Sequence, residues 1–314
     1  MGNRIATREA YGKTLVKLSG LNKNVVVLDA DLSKSTKTAD FKAVSPERFI
    51  NVGIAESNMM GIAAGLSTCG KIPFASTFAM FAAGRAFEQI RNSICYPNLN
   101  VKICATHAGL TVGEDGATHQ SIEDISLMRS IPNMTVINPA DAVETEAAIL
   151  AVAEYNGPCY VRLGRLAVDT INDAQSYKFE IGKGVTLSDG SDVTIVATGM
   201  MVQLALEAKD ILSKEGISAR VINIHTIKPI DKDLLIKAAK ETKVIVTAEE
   251  HSVIGGLGSA VAEVVTEGCP VPVLKIGIKD TFGESGKPEE LLKAYGLTAE
   301  SIVEHSRNAI SVKK

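Results

Sequence analysis

The chain has 314 residues, of which 46% are hydrophobic and 22% charged, with a net charge of −3. This balance belongs to a folded protein with a sizeable core, of a length that suits about two domains. No basic run exceeds a few residues, which excludes nucleic acid as a partner on charge, and the five dispersed cysteines, Cys69, Cys95, Cys104, Cys159 and Cys269, form no C-x-x-C pair and read as buried thiols of a reducing cytosol.

The N-terminal Met1-Gly2-Asn3-Arg4 lacks the apolar core of a signal peptide. No uncharged run approaches the ~18 apolar residues of a membrane span, so a cytoplasmic protein with no membrane partner is expected. Thr7 reads as the N-cap of a helix with apolar spacing through Leu18. Val25-Val26-Val27-Leu28 is then a continuous apolar run of strand length, followed by Asp29-Ala30-Asp31 and a Ser/Thr/Lys-rich loop. Runs that are apolar on both faces belong to parallel sheets covered by helices.

The alternation repeats, with strands expected near 49–52, 73–76, 101–105, 135–137 and 160–161 and helices near 56–68, 79–95, 121–130 and 141–155. Residues 1–170 therefore read as an α/β domain with an open, mostly parallel sheet flanked by helices. Apolar density falls over 171–190, where Asn172-Asp173-Ala174-Gln175-Ser176 and Ser188-Asp189-Gly190 carry linker and turn chemistry. A smaller α/β domain follows over 191–314, with strands expected near 192–197, 219–223, 244–248 and 271–276 and helices near 201–214, 231–241 and 257–266.

Ligands of open parallel sheets bind outside the carboxyl ends of the strands. That rim would carry Asp31 and Ser35 after the first strand, Glu56 after the second, Ser76-Thr77 after the third, Thr106-His107 after the fourth and Arg162 after the last. Glu56 stands out because the strand Phe49-Ile50-Asn51-Val52 and the Ala-, Met- and Gly-rich helix around it offer almost nothing charged. A carboxylate there either caps the helix, finds a partner or stays protonated, since burying it unpaired costs several kcal/mol.

Three further stretches bear on chemistry. Phe78 and Phe81 fall on one helical face, either as core or as a stacking surface for a flat heterocycle. His107 to Gln120 is a loop with two histidines, two acids and three glycines, long enough to be functional. Its two histidines are twelve residues apart and show no H-x-x-x-H spacing, so no protein-only metal site is expected. Gly255-Gly256-Leu257-Gly258 approaches a glycine-rich phosphate turn without the strict pattern, which leaves close helix packing as the better reading.

Taken together, Gly53-Ile54-Ala55-Glu56, Ser76-Thr77-Phe78-Ala79-Met80-Phe81 and His107-(x)5-Gly113-Glu114-Asp115-Gly116-Ala117-Thr118-His119-Gln120 resemble the C-terminal half of transketolase. Pro139-Ala140-Asp141 and Phe282-Gly283-Glu284-Ser285-Gly286-Lys287-Pro288 extend the likeness over nearly the whole chain. It is similar in extent to the split enzymes in which this half, a pyrimidine-binding domain plus a C-terminal domain, is a separate subunit. The resemblance implies thiamine diphosphate as cofactor, with Glu56 bonded to its aminopyrimidine and Phe78 and Phe81 packed on that ring.

It further implies that His119 lies beside the reacting carbon, that His107 joins Glu56 and His119 as a catalytic residue, that Asp115 contacts a donor hydroxyl, and that Arg8, Ser35, His107 and Arg162 hold a sugar phosphate. Arg165 competes with Arg162 for that last role, and Asp31 resembles a cofactor-contacting acid. The diphosphate and Mg²⁺ are held in the family by a Gly-Asp-Gly…Asn segment absent from this sequence, which implies an N-terminal partner subunit and a heterotetramer built on a dimer of this chain. Gly84 stands where many full-length members have an aromatic, and Ser57-Asn58 departs from the usual residues after the glutamate. A deoxyxylulose-phosphate synthase-like enzyme, a 2-oxo acid decarboxylase beta subunit and a non-catalytic paralogue are the alternatives.

Overall fold

Val25, Val26, Val27 and Leu28 are all buried, as side chains on both faces of a strand must be when helices cover both sides of its sheet. In the computed structural model, which describes residues 4–313, the strands of the first half are β1 (Arg4–Ala6), β2 (Val25–Asp29), β3 (Phe49–Asn51), β4 (Ile72–Phe78), β5 (Lys102–Thr106), β6 (Thr135–Ile137), β7 (Cys159–Arg162) and β8 (Ala167–Asp169). Those of the second are β9 (Val185–Ser188), β10 (Val193–Ala197), β11 (Ala219–Asn223), β12 (Thr226–Lys228), β13 (Ile245–Ser252) and β14 (Val273–Ile278).

The larger sheet has seven strands in the order β12-β6-β7-β5-β4-β2-β3, parallel throughout except for β12. Its faces alternate along each strand. Val25, Val27 and Phe74 join Tyr11, Leu15 and Ile149 from the helices Thr7–Leu21 and Ala142–Glu154. Val26, Leu28 and Ala75 join Met59, Met60 and Ile90 from the helix Glu56–Thr68 and the segment that follows β4. The smaller sheet has five strands, β14-β13-β10-β11-β9, with β9 alone antiparallel.

Three features differ from what periodicity predicts. The stretch 171–190 is not a bare linker: it contains β9, and the amides of Ile171 and Asn172 both donate to Asp141 Oδ2 at 2.8 Å. β12, from beyond that stretch, adds an antiparallel edge to the first sheet by pairing with β6, so the two halves are interleaved. The helix expected over 79–95 is broken into π-turns at Phe81–Arg85 and Ile90–Cys95 around a short α-turn, Phe87–Gln89. Such widened turns inside helices are frequent at functional sites.

Candidate functional site

The carboxyl ends of β2, β3, β4 and β5 point to one edge of the sheet, and the chain bends sharply there. Gly53 takes φ 76° between β3 and Glu56, and His107 takes φ 56° directly after β5. β4 ends at Phe78, whose ring stacks on the His107 imidazole at 3.9 Å between centroids and on Phe81 at 5.7 Å. His119 stands edge-on to both phenylalanines, 6.4 Å from Phe78 and 5.4 Å from Phe81. Four rings from three segments thus form one cluster, with Phe78 and His107 buried and Phe81 and His119 partly open.

His107 is held in one protonation state. Arg8 Nη1 lies 3.3 Å from its Nε2, and a guanidinium can only donate, so Nε2 accepts and the proton sits on Nδ1, 2.9 Å from Thr106 Oγ1. Burial, together with the nearby Arg8, Arg165 and His119, pushes the imidazole down to about 3. Arg8 also donates to the Ser35 carbonyl at 2.9 Å, while its Nε–H and the Thr77 hydroxyl are buried without a partner among the described residues.

Glu56 opens its helix and is 4% exposed, and it has found a partner that the sequence reading did not identify. Arg85 Nη1 lies 3.1 Å from Glu56 Oε1, and the same guanidinium lies 4.0 Å over the Phe81 ring. Arg85 is half exposed, and its carbonyl accepts from Ser57 Oγ at 3.1 Å. The only signal in the sequence was an arginine at i+4 from Phe81, and the π-turn that spans both residues was invisible to spacing alone.

The loop after His107 is a 3₁₀ turn, Leu110–Asp115, kinked at Gly113. It is fastened from the second half of the chain. Thr111 N–H donates to Glu250 Oε1 at 2.7 Å, and a Cβ on Gly109 would overlap that carboxyl. Gln120 Nε2 donates to Leu110 O at 3.2 Å, Gly113 O at 3.3 Å and Glu284 O at 2.9 Å. Glu250 and Gln120 are buried, and sequence reading assigned neither a role. The glycine-rich turn at 255–258 is filled from within, since the Glu249 carboxylate accepts the Leu257 and Gly258 amides at 2.6 and 2.8 Å. This is internal capping of a helix N-terminus.

Among the remaining predicted residues, Asp31 is exposed and accepts from Asn51 Nδ2 at 3.0 Å, on the same rim as Ser35. Asp115 is exposed at the end of the 3₁₀ turn. Arg162 is not brought to the cluster. Its side chain is 4% exposed, its Nε pairs with Asp124 Oδ2 at 2.8 Å, and its Nη2 donates to Ser121 O and Glu250 O at 3.3 and 3.0 Å. Three interior bonds thus hold it away from the ring cluster on the side of Asp124. Arg165 is the open guanidinium of this strand end, donating to Val112 O and pairing with Glu114 at 3.1 Å. Among the described residues no three His, Cys, Asp or Glu side chains gather as a metal site, and no helix is long and apolar enough to cross a membrane.

Comparison with known proteins agrees over both halves. A family model described as transketolase, pyrimidine binding domain, matches residues 3–170, and one described as transketolase, C-terminal domain, matches 182–302. The chain is 57% identical over 297 residues to a Methanocaldococcus jannaschii protein named for a transketolase C-terminal section, covering 94% of this chain and 93% of that one. It is 44% identical over 296 residues to a 6-deoxy-6-sulfo-D-fructose transketolase subunit of a Clostridium species, covering 94% and 92%. Against the transketolase of Homo sapiens it is 38% identical over 99% of this chain but only 50% of that protein. A solved structure described as a split gene transketolase, inactive beta4 tetramer, superposes with a TM-score of 0.93 at 60% identity, covering 99% of this chain and 100% of that one.

Proposed function

This chain belongs to the transketolase family, and from that premise we propose that it is the C-terminal subunit of a two-component transketolase. With an N-terminal partner it would move a two-carbon ketol unit from a ketose phosphate to an aldose phosphate. The observation that carries this reading is the flat, N–H-bearing group already shared by Glu56 and Phe81, 3.1 Å from the carboxylate and 4.0 Å over the ring. A pocket that accommodates a guanidinium in that way fits an aminopyrimidine, which is also planar and also presents N–H donors.

Bound there, thiamine diphosphate would supply the nucleophilic carbon that attacks a ketose carbonyl. Glu56 would hold the proton at the pyrimidine ring nitrogen, Phe81 would carry the ring face, and the buried Phe78 would support Phe81 from behind. His119, edge-on to Phe81, and His107, kept neutral by burial, would orient the donor sugar, with Asp115 at its hydroxyl. Arg8 has a buried Nε–H free to meet an anion, and with Ser35 and Arg165 it would hold the sugar phosphate. Asp31 would face the cofactor from the rim. The diphosphate and Mg²⁺ are assigned to the partner, because the Gly-Asp-Gly…Asn segment that holds them in the family does not occur in this sequence.

The relative whose structure is a beta4 tetramer is described as inactive, which supports a site completed only by a second polypeptide; a heterotetramer around a dimer of this subunit is the proposed assembly. The test mixes the purified chain with its N-terminal partner, thiamine diphosphate and Mg²⁺, and offers a panel of ketose phosphates. Two-carbon transfer is expected, and Glu56→Ala should remove it while the complex still forms. A complex that assembles but transfers nothing from any ketose phosphate overturns the proposal.

A further inference from the structure

The Glu56–Arg85–Phe81 arrangement contains a conflict. If the proposed site is right, the cofactor's ring has to lie on Phe81 and bond Glu56, yet Arg85 makes both contacts. At 4.0 Å from the ring centroid the guanidinium is at stacking distance, so no second flat group fits between it and that face. Glu56 has only 5% of its side chain exposed, which leaves its carboxyl little room to serve two planar partners from the same side. The arginine side chain, by contrast, is 53% exposed and has water to swing into.

We propose that Arg85 is a displaceable occupant of the aminopyrimidine site. In the chain without its partner it stands where the ring would lie, neutralising the buried Glu56 carboxylate and covering Phe81, and cofactor binding requires it to leave. The widened turn Phe81–Arg85 is what returns the arginine over a phenylalanine in its own turn, and Ser57 Oγ holds the arginine's carbonyl against the helix that begins at Glu56. A carboxylate that must remain buried while it waits for a second polypeptide gains from such a stand-in, because unpaired it would be costly. The contacts can be exchanged because the arginine end is open to water, and a ring that itself donates to Glu56 leaves the buried carboxylate paired when the guanidinium swings out.

The inference rests on the cofactor reading above, and the experiment separates the two. Titration calorimetry of the complex with the N-terminal partner, in Mg²⁺, measures the Kd for thiamine diphosphate with wild-type chain, Arg85→Met and Arg85→Lys. Methionine keeps the length and removes the N–H donors, so its Kd is expected to fall about tenfold, while lysine, which retains the charge and loses the plane, falls between it and wild type. Circular dichroism and co-elution with the partner confirm that each variant is folded and assembled. If Arg85→Met binds the cofactor equally or more weakly, the arginine stays in place to support the ring and the inference is overturned. If the wild-type complex binds none at all, the cofactor reading falls and takes this inference with it.

Discussion

Replacing Asp124 by alanine should destabilise the isolated subunit by about 4 to 6 kcal/mol, and the reason lies in how completely the Asp124–Arg162 pair is buried. The side chains are 0% and 4% exposed and meet at 2.8 Å. Removing one member of such a pair leaves an uncompensated buried charge, a loss of about 3 to 5 kcal/mol. The same Oδ2 accepts the hydroxyl of the fully buried Tyr160 at 2.8 Å, and an orphaned donor adds about 1 to 3 kcal/mol, less than additively because one oxygen serves both. Urea unfolding followed by circular dichroism suits a chain with no tryptophan. Arg162→Met should cost a similar amount, and the double variant Asp124→Leu with Arg162→Met should recover most of it. Arg165→Met, whose side chain is 37% exposed, should stay within about 0.5 kcal/mol of wild type and weaken only sugar-phosphate affinity. If Asp124→Ala lies within about 1 kcal/mol of wild type, or if Arg162→Met leaves stability intact and raises the KM for a sugar phosphate, the structural assignment of this pair is refuted.

Two further outcomes follow from the loop and from the buried titratable groups. Gly109→Ala combines φ 83° with an overlap onto the Glu250 carboxyl and should lower stability by about 1 to 3 kcal/mol, whereas Gly61→Ala, mid-helix with nothing near its Cβ, should raise it by up to about 1; equal melting temperatures for the two would refute the steric account. Burial, with Arg8 and Arg165 adding in the case of His107, depresses the imidazoles of His107 to about 3 and of His225 and His251 to about 4, from an ordinary 6.5. Their contribution is complete above pH 6.5 and is lost as the pH falls below it, because the unfolded chain takes up protons that the folded one refuses. Burial raises Glu144 and Glu249 to about 7 from 4.5, so these two bind protons in the folded state over the same range and offset about two thirds of the loss until about pH 4.5. With three imidazoles against two carboxyls, about one proton stays uncompensated, so stability should be flat near pH 6.5 and fall by about 1 to 2 kcal/mol per pH unit between pH 6 and 4. The three imidazole resonances should not titrate above pH 5, and movement of any of them near 6.5 would contradict the burial argument.

The parallel core was legible because its strands are apolar on both faces and its helices keep a steady period: Glu56–Thr68 and Thr135–Ile137 begin and end where the pattern predicts. What escaped was whatever depends on a distant partner. β9 is four residues at an antiparallel edge, and β12 is three residues that end in a lysine and join the other sheet, so neither carries an apolar run that marks it as a strand. The site divided in the same way. Glu56, the two phenylalanines and both histidines stood out by residue type and position at strand ends, whereas Arg85 depended on a π-turn and Glu250 on a contact with Thr111, 139 residues away. The Arg162–Asp124 pair was not legible, because a guanidinium beside a rim reads the same in one dimension whether it faces solvent or Asp124.

The interleaving of the two halves gives the second sheet a physical purpose in the site. Glu249 and Glu250 follow one another on β13 and so point to opposite faces. Glu249 caps the helix Leu257–Gly268, which anchors the strand in its own sheet, and Glu250 reaches out to take the Thr111 amide. Gln120 closes the same loop onto Glu284, and Ser285 and Pro288 pack against Gly116 and Gly113. A loop with three glycines at positive φ, Gly109, Gly113 and Gly116, would lose much conformational entropy on ordering and has little apolar side chain of its own to offset that loss. The brace from the second half supplies the missing contacts, so that His107 and His119 are positioned by residues more than 100 places further along the chain. On this account the loop and its brace must be carried by one polypeptide, because the two have to be in register before the histidines can be placed.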